Sequence, residues 1–233
     1  MTEKLMQGDC LKLMSKLPDK SVDLIVTDPP YKVTARGNSG TSGGIFKEKI
    51  NKKGMVFAEN NIEIESWLPE LYRVLKDKGH AYIMTNNKNI SNYLRVIEES
   101  NFHFVKCLIW VKDNKIMGQF YMGQFEYIIF LRKGKAKRIN HCGTSDVINV
   151  PNKKEKGKDG KPLHPTEKPV KLMSILIKNS SNKGDVILDP FMGIGSTGVA
   201  AKQLKRNFIG MELDPKYFEI AKKRIESAPI TLF

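Results

Sequence analysis

Asp28-Pro29-Pro30-Tyr31 is the chemically most specific run in the chain. An exocyclic amine on a nucleobase is a poor nucleophile, because its lone pair is delocalised into the ring. An aspartate oxygen and a carbonyl fixed by the neighbouring prolines can accept both of its N–H bonds. That arrangement favours a pyramidal nitrogen whose lone pair points at an electrophilic methyl group. Proline dihedrals are preset, so the acceptors need little reorganisation in the transition state. Tyr31 supplies a ring on which a base swung out of its helix can stack. A rigid turn carrying a surface tyrosine is the plainer alternative.

The second constellation is Gly193-Ile194-Gly195-Ser196-Thr197-Gly198, directly after Val186-Ile187-Leu188-Asp189-Pro190-Phe191. Glycines between a strand and a helix let the backbone turn tightly and leave room for a ligand against the main chain. Downstream, Phe208-Ile209-Gly210-Met211 ends in Glu212, an acceptor suited to the two hydroxyls of a ribose. A nucleoside-containing cofactor is therefore expected. A pyrophosphate wants bare amides and no nearby anion. Asp189 would repel phosphate, but would suit a cationic ligand such as S-adenosylmethionine.

With both motifs in this order, the sequence resembles the β group of DNA amino-methyltransferases, in which an Asp-Pro-Pro-Tyr motif precedes a Phe-x-Gly-x-Gly motif. Gly8-Asp9-Cys10 and His164-Pro165-Thr166-Glu167-Lys168-Pro169 match two further family segments, so the likeness runs from about Gly8 to Arg224. It implies that Asp28 and the Pro29 carbonyl bind the target amine, with Pro30 shaping the turn and Tyr31 stacking on the base. It implies a cofactor set of Asp189, Phe191, Gly193, Gly195, Ser196 and Thr197, with Glu212 on the ribose and Asp9 and Cys10 near the adenine. Thr166 and Lys168 are its candidates for the cofactor carboxylate, although Lys168 could equally be a surface lysine at a helix start. Transfer would be a direct displacement without a covalent enzyme intermediate, on adenine N6 in double-stranded DNA with the base flipped out. Aspartate at the first motif position favours adenine, and cytosine N4 is the alternative.

These side chains need a scaffold, and the hydrophobic pattern supplies one. Val22–Thr27, His80–Thr85, Asp185–Leu188 and Asn207–Glu212 read as strands. Ile64–Lys78 places Trp67, Leu68, Leu71 and Leu75 at helical spacing, with Gly79 as its stop. Helices are also predicted around Ile90–Ile97, over Pro169–Lys178, over Thr197–Leu204, and from Asp214-Pro215 to about Ser227. Phe102–Trp110 and Phe125–Leu131, with no helix between them, form an expected antiparallel pair. The predicted fold class is α/β: a Rossmann-like methyltransferase fold with a mostly parallel twisted sheet, one antiparallel strand and helices on both faces. The expectation is a single catalytic domain over 1–233 with two excursions, at about 32–61 and 132–165.

The chain has 233 residues and a formal charge of +14. Half of that excess, +7, lies between Arg132 and Lys161, where ten basic side chains face three acidic ones. With the motifs above, this stretch reads as a phosphate-contact surface, and Asn38, Ser39, Asn140 and Asn152 could reach base edges. So little recognition surface implies a short site or reliance on a second copy of the chain. His141 and His164 have no catalytic role in this chemistry. Cys10, Cys107 and Cys142 are too few and scattered for a disulfide framework or a metal site. No run approaches a membrane span, and Met1–Leu5 lacks a secretory pattern, so the cytoplasm is the expected compartment. A dinucleotide-dependent oxidoreductase would leave Asp28–Tyr31 and the basic stretch without purpose. A non-catalytic DNA-binding module would have no need of the intact Asp28–Tyr31 set, and charge does not separate DNA from RNA.

Overall fold

Val22–Thr27 is apolar on both sides of its pleat, and a strand of that kind must be covered on both faces. The structure, a computed structural model, describes residues 2–30, 62–116, 120–155, 160 and 167–230. It places this run as β2 (Val22–Thr27) between β7 (Val186–Asp189) and β3 (Leu75–Thr85). Beyond β7 lie β8 (Asn207–Glu212) and β1 (Glu3–Gln7). Beyond β3 lie β5 (Gly123–Arg132), β4 (His103–Ile116) and β6 (Val147–Asn149). Only β5 runs antiparallel to its neighbours, as the short β4–β5 connection requires.

Side-chain alternation divides the core in two. Ile25, Ala81 and Ile83 meet α1 (Cys10–Met14), α2 (Ile64–Val74) and α3 (Ile90–Glu98) on one face. Leu24, Val26, Tyr82, Met84, Trp110 and Ile128 meet α4 (Val170–Ser180), α5 (Ser196–Gln203) and α6 (Pro215–Ser227) on the other. The chain leaves β2 towards β3 and leaves β7 towards β8, in opposite directions across the sheet. The carboxyl ends of β2 and β7 therefore border the crevice where such sheets hold ligands.

Two expectations need correction. The helix predicted over Ile64–Lys78 stops at Val74; Leu75 is extended (φ −72°, ψ 135°) and opens β3 opposite Val22. Lys133 helps to end it, its Nζ donating to the Tyr72 and Leu75 carbonyls at 2.5 and 2.6 Å. Leu75 thus continued a helical spacing while belonging to a strand. The basic stretch, whose Lys156, Lys158 and Lys161 lie outside the described residues, is not one surface over its described part. Lys133 is buried, and the chain after it stays at the amino edge of the sheet. There Lys137 O meets His80 Nε2, and Asn140 Nδ2 donates to Lys178 O and Ser181 O at the end of α4. Lys135, Lys137 and Arg138 are exposed at that edge. β6 then runs parallel to β4 and returns the chain to the carboxyl edge, where Asn152 N donates to Asp113 Oδ1 at 2.7 Å. Asn140 and Asn152 are thus tethers within the fold. Asn38, Ser39 and the rest of the 32–61 excursion lie outside the described residues, as does His164. Among the described residues, no helix is long and apolar enough to cross a membrane.

Candidate active site

Asp28 follows β2 directly, and the side-chain parity of Leu24 and Val26 carries it to the α4 face. Its Oδ2 accepts from Lys168 Nζ at 2.5 Å, whereas Oδ1 is buried without a hydrogen-bond partner among the described residues. Burial raises the Asp28 carboxyl above its ordinary range, against the opposing pull of Lys168. Lys168, a candidate for the cofactor carboxylate, is held instead at Asp28, with Glu126 Oε2 at 3.4 Å. Glu126 in turn is hydrogen-bonded through Oε1 to Lys112 Nζ. Alternation along β4 and β5 puts Lys112 and Glu126 beside Trp110 and Ile128, on the same face as Asp28. Pro29 is buried, Pro30 is half-buried, and Tyr31 and Thr166 lie outside the described residues.

One hydroxyl links this turn to the glycine loop. Thr27 Oγ1 donates to Asp189 Oδ1 at 2.8 Å, and Thr197 Oγ1 donates to Asp189 Oδ2 at 2.7 Å. Phe191 N also donates to Asp189 Oδ1, at 3.1 Å. Asp189 therefore uses both oxygens in bracing β2, β7 and α5. Burial lifts its carboxyl to about 6, despite the two hydroxyls. Thr197 is committed to this brace, while Ser196 Oγ is buried and has no partner among the described residues.

Gly193 (φ 53°) and Gly195 (φ 83°) both occupy the left-handed region. A Cβ on Gly195 would press to 2.9 Å from Ile225 Cδ1, whereas one on Gly193 would meet nothing within 4 Å. The first glycine thus faces open space, and the second lets the loop pack on α6. Phe191 lies edge-on to Trp67, whose ring also meets Tyr93. Arg224 Nη1 donates to Ile194 O at 2.5 Å, and Nη2 reaches Glu155 at 2.7 Å and Glu167 at 2.6 Å. It ties the loop to the segment that carries Lys168.

Gly8 N donates to the Glu212 carbonyl at 2.9 Å, so the turn after β1 sits beside the end of β8. Burial pushes the Glu212 carboxyl up to about 7, against the hydrogen bonds from Asp214 and Gly193 amides. Asp9 caps α1, accepting from Lys12 N at 2.9 Å. Cys10 is buried, and burial, with Asp9 beside it, pushes its thiol up to about 12. A thiol held neutral in this way is no nucleophile.

Five buried polar side-chain atoms lack partners among the described residues: Asp28 Oδ1, Glu126 Oε2, Thr85 Oγ1, Ser196 Oγ and Trp67 Nε1. Asp28, Glu126 and Ser196 lie around the carboxyl edge of the sheet, where a ligand would complete them, whereas Trp67 and Thr85 are wholly enclosed. The open space at Gly193, the Ser196 hydroxyl and the Glu212 carboxylate fit a nucleoside bearing an amino-acid tail. Lys112, Glu126, Glu155 and Arg224 were invisible as site residues in the sequence. Each lies far along the chain from the residue it serves, and no local motif marks it.

An open α/β sheet with a glycine loop and an orphaned carboxylate at its switch point defines a nucleoside-cofactor-dependent transferase of the class I methyltransferase architecture. Residues 22–223 match the N6_N4_Mtase model, described as DNA methylase, and the chain belongs to that family. It is 32% identical to the type II methyltransferase M2.MboI of Moraxella bovis over 94% of this chain and 85% of that protein. It is also 32% identical to the type II methyltransferase M.HinfI of Haemophilus influenzae, over 95% of this chain and 67% of that one. Among solved structures, the M1.HpyAVI–SAM complex superposes with a TM-score of 0.71 at 27% identity, covering 96% of this chain and all of that one. The chain is thus an S-adenosylmethionine-dependent DNA methyltransferase of the N6/N4 amino group. The fold, cofactor and DNA substrate expected from the sequence are borne out.

Proposed function

We propose that the chain methylates adenine N6 at a short site in duplex DNA, acting on a base rotated out of the helix. The observation that carries this reading is the divided Asp28 carboxylate. Oδ2 is occupied by Lys168, and Oδ1 is buried and unpartnered one hydroxyl bridge away from the glycine loop. An acceptor in that state favours a donor that brings its own hydrogens, as an exocyclic amine does.

Bound S-adenosylmethionine supplies an electrophilic methyl on a sulfonium. Asp28 Oδ1 and the Pro29 carbonyl accept the two amine hydrogens and turn the nitrogen lone pair outward, with Pro30 fixing the turn and Tyr31 stacking on the base. Glu212 holds the ribose hydroxyls, Asp9 and Cys10 flank the adenine, and Phe191, Gly193, Gly195 and Ser196 shape the surface around the cofactor. Asp189 and Thr197 keep β2 and the loop in register. Thr166 takes the cofactor carboxylate, and Lys168 acts on Asp28. A cofactor held here would supply its methyl by direct displacement, the N–CH3 bond forming as the S–CH3 bond breaks to a neutral thioether, and the proton lost by the amine would go to solvent.

The reading covers 1–233 as one catalytic domain. DNA as the substrate puts the work in the cytoplasm. Because the described part of the basic stretch is divided between two edges of the sheet, a short site, or one shared with a second copy, suits it. Expression in a methylation-free host followed by nucleoside analysis tests the reading: N6-methyladenine is expected, and N4-methylcytosine alone would replace it with the cytosine activity.

A further inference from the structure

The methyl-transfer chemistry assigns no task to Lys112 and Glu126, yet Lys112 is buried and Glu126 half-buried beside the proposed acceptor, on strands that contribute nothing else to it. Lys168 lies between two carboxylates, bonded to Asp28 Oδ2 at 2.5 Å and 3.4 Å from Glu126 Oε2. Glu126 Oε2 is held there only by that longer ion pair, because the other oxygen is the one taken by Lys112. Two cations and two anions therefore form a neutral, buried group, with Lys154 adding positive charge at its border. We infer that Glu126 is a positioning residue that receives the Lys168 ammonium when the target amine arrives, leaving the Asp28 charge to Oδ1, which accepts from the amine.

A lysine bonded to Oδ2 draws negative charge out of the carboxylate and weakens Oδ1 as the acceptor for the amine. Abandoning that ion pair in a buried site would be costly unless the ammonium found another anion within reach. A move of under an ångström takes Nζ from 3.4 Å to hydrogen-bonding distance of Glu126 Oε2. The group stays neutral throughout, since no charge enters or leaves it. The two carboxylates also differ in the needed direction. Burial raises Asp28 more than Lys168 lowers it, whereas at Glu126 burial is outweighed by Lys168 and Lys112 together. Glu126 is the better resting anion for a displaced ammonium. Lys112 holds Oε1 and so keeps Oε2 turned to Lys168.

This inference rests on Asp28 being the amine acceptor, and the experiment separates the two. Single-turnover methylation of DNA from a methylation-free host is measured for Glu126→Gln, Lys168→Met and the double variant, with S-adenosylmethionine affinity by calorimetry. Glu126→Gln keeps the shape but removes the charge that receives Lys168, so the rate falls about tenfold or more with cofactor affinity unchanged. On the Lys168→Met background the same change slows the rate far less, because only the Lys112 contact is left to lose. Additive losses, or an unchanged rate in Glu126→Gln, overturn the inference while leaving Asp28 as acceptor. An active Asp28→Ala enzyme would instead overturn the underlying reading. If Glu126→Gln does not fold, Glu126→Asp replaces it: its shorter reach must slow the wild-type background and slow the Lys168→Met background far less.

Discussion

Asp28 divides its oxygens between a lysine and an open position, and that division sets what its loss should do. Asp28→Ala removes the proposed amine acceptor without touching the glycine loop. Methyl transfer should be abolished while S-adenosylmethionine affinity stays near wild type, measurable by radiolabel transfer and calorimetry. Glu212 carries a pH prediction. Its ionised form is the better acceptor for ribose hydroxyls, and burial holds its carboxyl at about 7. Cofactor affinity should therefore weaken as pH falls, roughly tenfold between pH 8 and pH 6, and Glu212→Gln should flatten the profile. The Asp28 and Glu212 motifs were readable because each is a short run of fixed residue types at a strand end. Glu126 was not, since Phe125-Glu126-Tyr127 reads as ordinary strand until Lys112 and Lys168 are brought against it.

At the scale of elements, α2 shows where local pattern stops being sufficient. Leu71 and Leu75 have helical spacing, but Leu75 pairs with Val22, and the carbonyls released at the end of α2 are taken by Lys133. Lys133→Met should cost about 2–3 kcal/mol in urea unfolding, because two carbonyls lose a charged donor. Methyl transfer per folded molecule should be unchanged, since this contact lies at the amino edge. β1, α1 and β6 were missed altogether. β1 has few strongly apolar residues, and β6 spans only three, so both depend on pairing with β8 and β4. By contrast α6 announces itself, because Asp214 accepts from Lys216 N and Tyr217 N just where its sequence forecasts a cap.

Across the whole molecule, charge and topology have to be read together. The run from Arg132 to Lys161 holds half of the net charge, but α4 separates its beginning from the active site by about 16 Å of helix. Neutralising Lys135, Lys137 and Arg138 should leave the salt dependence of DNA binding unchanged. Neutralising Lys115 and Lys153, which are exposed at the carboxyl edge, should reduce the slope of log affinity against log salt by up to about 2. Filter binding across a salt series distinguishes the two; equal slopes for both variants would dissociate DNA contact from that edge.

Residue types and their order along the chain were enough to define the chemistry, the donor and the alternation of strands with helices. Each of those is written in contiguous runs, where backbone preference and hydrophobic period act over a few neighbours. Which lysine meets Asp28, what braces Asp189 and which basic residues share its edge were decided only when the sheet brought Thr27, Glu126, Lys168 and Asp189 together. Contacts such as Thr27–Asp189, 162 positions apart, leave no periodic trace, because their energy depends on burial and distance, neither of which exists before the chain has closed.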